Sequence, residues 1–366
     1  MHLNRETISD RQGIAVLALF IMGSTLVMGA GAGVQQNGWI AVLMATLLAI
    51  PMYAVYSRLL SLYPGKGLYE ILYDVLGKVG GKIASLFFIW YSIHLGSLVF
   101  RDFWEFIKVA QLPETPGYVS VILIGLVCIW AVKEGIEVLG RWSKFSIIFL
   151  ITIVTVISIL SVTNADIDNL RPLLYMGIKP ILKNTFYIFT FPFAETVVFM
   201  ACFYYTKGRN NPYKVYYRGL ATGAFFILLI SIRNIAVLGT DFAEQLYFVS
   251  YTVISLINIG DFIQRIEASV AVIFLLAGLV KISICLLSAS IGIDRLFNLG
   301  NYRQIVAPIG LLTMVTSCFL FKSTMELFEW TADVYKYYAF PFQVILPLGI
   351  WITAEIKTKR KKQIKQ

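Results

Sequence analysis

FIMGSTLVMGAGAGVQQNGW, residues 20–39, is the stretch on which the fold turns. It is apolar enough to lie in a bilayer, yet Gly23, Gly29, Gly31 and Gly33 fall close together within it. Lipid offers a backbone no hydrogen bonds, so a membrane helix must satisfy its own. Glycine loosens such a helix. The stretch therefore predicts a helix interrupted inside the membrane.

The surrounding chain supports that setting. Of its 366 residues 58% are apolar and 14% charged, with a mean hydropathy of +0.74, far above a soluble domain of this length. Crossing about 30 Å of hydrocarbon takes about 20 helical residues. Ten stretches qualify, near 12–34, 38–60, 82–108, 117–137, 142–162, 180–206, 214–238, 263–291, 304–321 and 337–355. The first is not expected to be a cleaved signal, because Glu6 and Asp10 stand where a signal carries basic residues.

Ten crossings place both termini on one side. Most of the 31 Lys and Arg lie in loops on that side or in the tail IKTKRKKQIKQ, residues 356–366, which predicts cytoplasmic termini and a tail that either serves as a stop-transfer anchor or rests on anionic lipid. The net charge of +10 is thus spread over short loops, and nucleic-acid binding is not expected. Cys128, Cys202, Cys285 and Cys318 fall singly in four different spans, and His2 and His94 are the only histidines. No metal site, cofactor fingerprint or nucleophile constellation is present, so enzymatic chemistry is not expected.

A second span is interrupted. TFYIFTFPFAETVVFMACFYY, residues 185–205, carries Pro192 at its middle, which removes a backbone donor and frees carbonyls that need a partner. It lies five spans after the first break. Five is odd, so the halves 1–5 and 6–10 enter the membrane from opposite sides, as inverted repeats do, and paired interruptions point to a mid-membrane transporter-type site. The chain reads as one permease domain over 1–366: repeat one near 12–162, repeat two near 180–355 and a tail at 356–366.

By depth, span one breaks at Gly23 and Ser24. Ser24 and Thr25 would then cap an outer half-helix whose N-H groups favour a carboxylate, while Gly29, Gly31 and Gly33 would form a packing face. In span six the carbonyls before Pro192 would accept from an ammonium ringed by Phe189, Phe191 and Phe193. The inferred ligand is a small amino acid or similar polar nutrient.

Ionisable residues inside spans are costly and each calls for a role. Glu195, beside the Pro192 break, is a candidate ligand or gate residue, or else a cap on the second half-helix. Lys281, deep in span eight, lies fourteen residues after Glu267 and so shares a helix face with it; Lys281 would either exchange a proton or stand in a structural ion pair holding the bundle, with Glu267 and His94 as further candidates for ion or proton coupling. Arg101, Asp102 and Glu105 fit either local pairs or an outer gate. Residues 61–82 read as an amphipathic helix with Leu68, Ile71, Leu72, Val75 and Leu76 on its apolar side, and 239–267 as a connection holding an outer helix over the site.

NLRPLL at 169–174, FPFAE at 191–195, INIGDFIQRIE at 257–267 and YPGKGLYEIL at 63–72 resemble the spore germination permease family. These are the B subunits of endospore nutrient germinant receptors, in the amino acid-polyamine-organocation transporter superfamily. The resemblance implies an all-α polytopic membrane protein with ten transmembrane helices, a leucine-transporter-like 5+5 inverted repeat and discontinuous helices 1 and 6. It implies residence in the spore inner membrane, partnership with A and C subunits, and a nutrient ligand held by Gly23, Ser24, Thr25 and the stretch from Phe191 to Glu195. Where the superfamily shows Gly-Ser-Gly at the first break, this chain has Thr25 in the last position. A proton-coupled amino acid transporter of the plasma membrane is the alternative.

Overall fold

The computed structural model describes residues 6–30, 32–111, 114–174, 177–204, 210–239, 246–257 and 268–363. Among them every regular element is helical. Seven continuous helical stretches are long and apolar enough to cross a membrane. Three expected spans remain: the two interrupted ones and the shorter apolar helix Val306–Phe319.

Span one is α1 (Asp10–Met22) and a single turn, α2 (Thr25–Met28). Ser9 caps α1 through a reciprocal box with Gln12. Spans two to five are α3 (Gly38–Leu62), α4 (Leu68–Phe106), α5 (Gly117–Glu134) and α6 (Ile136–Leu160). Span six is α7 (Ile178–Ile188), a π turn at Phe189–Phe193 and a 3₁₀ stretch, Ala194–Ala201. Then come α8 (Pro212–Leu238), α9 (Val249–Ser255), α10 (Ala268–Phe297), α11 (Val306–Phe319) and α12 (Thr324–Trp330). The last crossing continues α12 through α13 (Lys336–Phe340) and α14 (Leu346–Gln363), with π turns at Thr331–Tyr335 and Pro341–Ile345.

Three sequence expectations change. The helix foreseen at 61–82 is not separate: it runs into span three as α4, bent at Gly77, whose φ of 76° a side chain would resist. Leu68, Ile71, Leu72 and Val75 are buried as its apolar pattern requires, while Leu76 is exposed. The packing face expected at Gly29, Gly31 and Gly33 also gives way. Gly29, at φ 82°, stops the helix after α2, Gly33 falls in a 3₁₀ turn at Ala32–Asn37, and Gly31 lies outside the described residues. The outer half of span one is therefore one turn rather than a half-helix. In the connection 239–267, α9 supplies the expected helix and packs on α2 and α8; residues 240–245 and 258–267, including Glu267, lie outside the described residues.

Both interrupted spans sit at the centre. α1 packs against α8, α6 and α10, and α3 packs against α7 and α8, while α10 lies along α4. NLRPLL braces the far end of span one: Gln36 Nε2 donates to the Pro172 carbonyl at 2.9 Å and Leu174 N donates to Asn37 Oδ1 at 2.9 Å.

Candidate functional site

The first break falls at Gly23, where φ 18° and ψ −126° leave the helical region. A Cβ there would stand 2.7 Å from Lys281 Cδ, so glycine is what lets the lysine cross span one. Beyond it, Lys281 Nζ lies 2.5 Å from Glu195 Oε2, just past the other break. The pair is fully buried. The ammonium also sits 4.8 Å from the Phe191 ring and 5.4 Å from the Phe20 ring, an arrangement that stabilises a desolvated cation. One side chain from span eight thus joins the two interruptions.

Glu195 has a second donor, the Tyr335 hydroxyl, presented by the first π turn of the last crossing. Tyr335 approaches the Tyr91 hydroxyl at 3.2 Å, and Gln343, in the second π turn, donates to Tyr91 at 2.7 Å. Such turns re-aim side chains at functional places in otherwise regular helices.

At the second break Pro192 pushes Phe191 to φ −134° and ψ 108°. Of the carbonyls before Pro192, that of Thr190 has a side-chain donor, and those of Phe193 and Ala194, just after it, are engaged as well. Gln343 Nε2 donates to the Thr190 carbonyl at 2.8 Å. Tyr53 OH donates to the Phe193 carbonyl at 3.0 Å, joined there by Thr196 Oγ1 at 2.9 Å, and Tyr56 OH reaches the Ala194 carbonyl at 3.4 Å. Spaced three apart on α3, the two tyrosines face the same way.

The first break is finished differently. Ser24 makes no side-chain cap on α2; its Oγ donates to Asp102 Oδ2 on α4 at 2.6 Å. The position expected to hold a ligand carboxylate already faces one belonging to the chain. Thr25 Oγ1 is buried and, among the described residues, has no hydrogen-bond partner.

Asp102, Glu195, Phe191, Thr331 and Tyr335 line a common cavity with Met28 and the aliphatic residues Leu95, Leu98, Val99 and Leu327. Its free space, about 10 Å³, is the room of one water. Toward the termini lies a separate cleft of about 510 Å³, lined among others by Tyr69, Cys202, Asn301 and Arg303. Glu6 crosses that end, bonding Arg303 at 2.5 Å and the Ile136 amide at 2.9 Å.

Of the residues singled out from sequence, Gly23, Ser24, Phe191, Pro192, Glu195 and Lys281 meet at this centre, with Thr25 adjoining it. Phe189 points elsewhere and lines a lateral apolar groove with Met52, Phe340 and Val344. Phe193 is buried but does not line the cavity. His94 packs among Trp90, Trp330 and Tyr338, ring to ring, rather than along a relay. Arg101 and Glu105 form a local pair at 2.6 Å, and Glu105 accepts from Thr324. Tyr335 is the site residue that sequence reasoning missed, and Asp102, read there only as part of a local pair or an outer gate, stands at the centre instead.

Solved structures share this architecture at low identity. The chain resembles MhsT in complex with L-phenylalanine (TM-score 0.65, 14% identity, 96% of this chain and 89% of that one). It resembles Mhp1, a nucleobase-cation-symport-1 family transporter, with bromovinylhydantoin bound (TM-score 0.65, 13% identity, 92% and 75%). These likenesses establish the leucine-transporter-like fold. Among curated proteins, spore germination protein KB of Bacillus subtilis (strain 168) is 28% identical over 99% of this chain and 98% of its own length. Spore germination protein A2 of the same organism is 24% identical over 81% and 82%. The family model described as spore germination protein matches residues 7–325, and the chain belongs to the spore germination permease family.

Proposed function

We propose that this chain is the nutrient-sensing membrane subunit of a spore germinant receptor. It binds an amino acid or similar small nutrient between the two helix breaks and passes the resulting movement to A and C subunits in the spore inner membrane. Its termini are cytoplasmic, and it makes and breaks no covalent bond. The observation that carries this reading is the cavity holding Asp102, Glu195 and Phe191 at the junction of both interrupted spans. Proteins of the same fold hold L-phenylalanine or a hydantoin, and the family and its curated relatives are spore germination proteins.

A space of about 10 Å³ is too small for an amino acid, so ligand binding must move the elements that cover it. Leu327 and Thr331, from the last crossing, and Met28 of α2 are among the lining residues that would have to move. A ligand that pushes them apart has differential affinity for two states, which is what a sensor needs.

Deleting this chain and following nutrient-triggered germination of purified spores tests the proposal. Loss of the response to at least one nutrient is expected. Unchanged germination on every nutrient, together with reduced amino-acid uptake in growing cells, favours a proton-coupled transporter instead.

A further inference from the structure

We propose that Asp102 receives the ammonium group of the ligand, so that the site selects small apolar molecules bearing a primary amine; this rests on the mid-membrane binding site proposed above. Among the described residues three acids are buried, and their partners differ. Glu105 has Arg101 and the Thr324 hydroxyl. Glu195 has Lys281 and the Tyr335 hydroxyl. Asp102, 5% exposed, has the Ser24 hydroxyl and, among the described residues, no cation in ion-pair contact.

A carboxylate offers about four acceptor positions, and Ser24 fills one. The carboxyl group lines the same water-sized cavity as Glu195. Buried charge inside a membrane is stable only when paired and hydrogen-bonded. With Lys281 held against Glu195 between the rings of Phe20 and Phe191, two cavity acids face one cation. The deficit is one positive charge, which a proton on the carboxyl can meet in the empty site and a primary ammonium, with its hydrogen-bond donors, meets in the occupied one.

The surroundings define the rest of the guest. Other charged or titratable groups within electrostatic reach of Asp102 are Glu195, Lys281 and Glu105, with the Tyr187 hydroxyl on α7. A guest carboxylate placed at Ser24 would meet Asp102 directly, so the amine end and not the acid end belongs at the first break. Leu95, Leu98, Val99 and Met28 give the cavity an apolar wall suited to an aliphatic body.

The test uses the full chain reconstituted in lipid nanodiscs, with its melting temperature followed against L-alanine, L-valine, L-asparagine, glucose, isobutylamine and isovalerate. The last two are valine without its carboxylate and without its amine. Isobutylamine and at least one amino acid are expected to stabilise the wild type, and isovalerate and glucose are not. Asp102→Asn is expected to raise the half-saturating concentration at least about tenfold, about 1.4 kcal/mol, while Asp102→Glu keeps most of the response. An unliganded melting temperature close to wild type shows that each variant is folded. Stabilisation by isovalerate or glucose equal to that by amines overturns the assignment and leaves nutrient binding standing. So does an unshifted amine response in folded Asp102→Asn. Silence from every probe in the folded wild type removes the binding site itself.

Discussion

The two helix breaks look alike in sequence, each a short interruption in an apolar span, but the protein completes them in opposite ways. At the second, Gln343 takes up the Thr190 carbonyl before Pro192, and Tyr53 and Thr196 take up the Phe193 carbonyl after it. That break is closed by the chain itself. At the first, among the described residues, Ser24 turns to a carboxylate without a cation and Thr25 keeps an unpaired buried hydroxyl. At the second break Gln343 Oε1 is likewise unpartnered among the described residues, so what sets the first break apart is the carboxylate of Asp102 without an ion-pair partner. A broken helix thus marks where a guest can bind, and the partners of its backbone decide whether one is needed.

The sharpest way to break this picture is at the lysine that joins the two sides. Lys281→Met leaves Glu195 buried with only Tyr335, and removing one member of a buried pair costs about 3–5 kcal/mol. A large drop in melting temperature of the purified protein is expected. Lys281→Met combined with Glu195→Gln removes the stranded charge and should recover most of it. If the double variant is as unstable as the single one, the lysine holds the bundle by packing and not by charge.

Gly23→Ala comes next in size. Its Cβ would meet Lys281 Cδ at 2.7 Å, an overpacked contact worth about 1–3 kcal/mol. Because the lysine must shift, the loss should shrink in the Lys281→Met background. Additive losses in the two backgrounds would show that the glycine matters only for its backbone.

The place of both breaks was legible before any coordinates. Gly23 and Ser24 lie at mid-depth between polar flanks, and Pro192 lacks the donor its helix needs. What could not be read was the partnership across distance. Asp102 stands 78 residues from Ser24, and Tyr335 stands 140 from Glu195. No helical period links such pairs. The only signal was the cluster of Arg101, Asp102 and Glu105 on one span, which left open whether its acids pair locally. Glu105 does and Asp102 does not. Gly29 misled for another reason, since a glycine needed for positive φ and one needed for close packing are the same letter.

Tyr53→Phe probes the closed break with a smaller effect. It deprives the Phe193 carbonyl of one donor while Thr196 Oγ1 remains, so a loss of about 1 kcal/mol is expected. A loss of several kcal/mol would mean that the tyrosine's donor has no substitute in Thr196 at the Phe193 carbonyl.

The smallest change in stability is expected at the open break, and it is the most informative. Thr25 Oγ1 is buried without a partner among the described residues, so the ligand-free protein gains nothing from that hydroxyl. Replacing a buried, unbonded polar group by an apolar one of the same shape is near neutral or mildly stabilising, and Thr25→Val makes that exchange. The melting temperature without ligand should therefore stay level or rise slightly. The nutrient dose response of spores should shift to higher concentration, because the hydroxyl is then missing only when a guest is present to use it. A fall in ligand-free stability with an unshifted dose response would place the hydroxyl's partner within the protein, and the contrast between an open and a closed break would disappear.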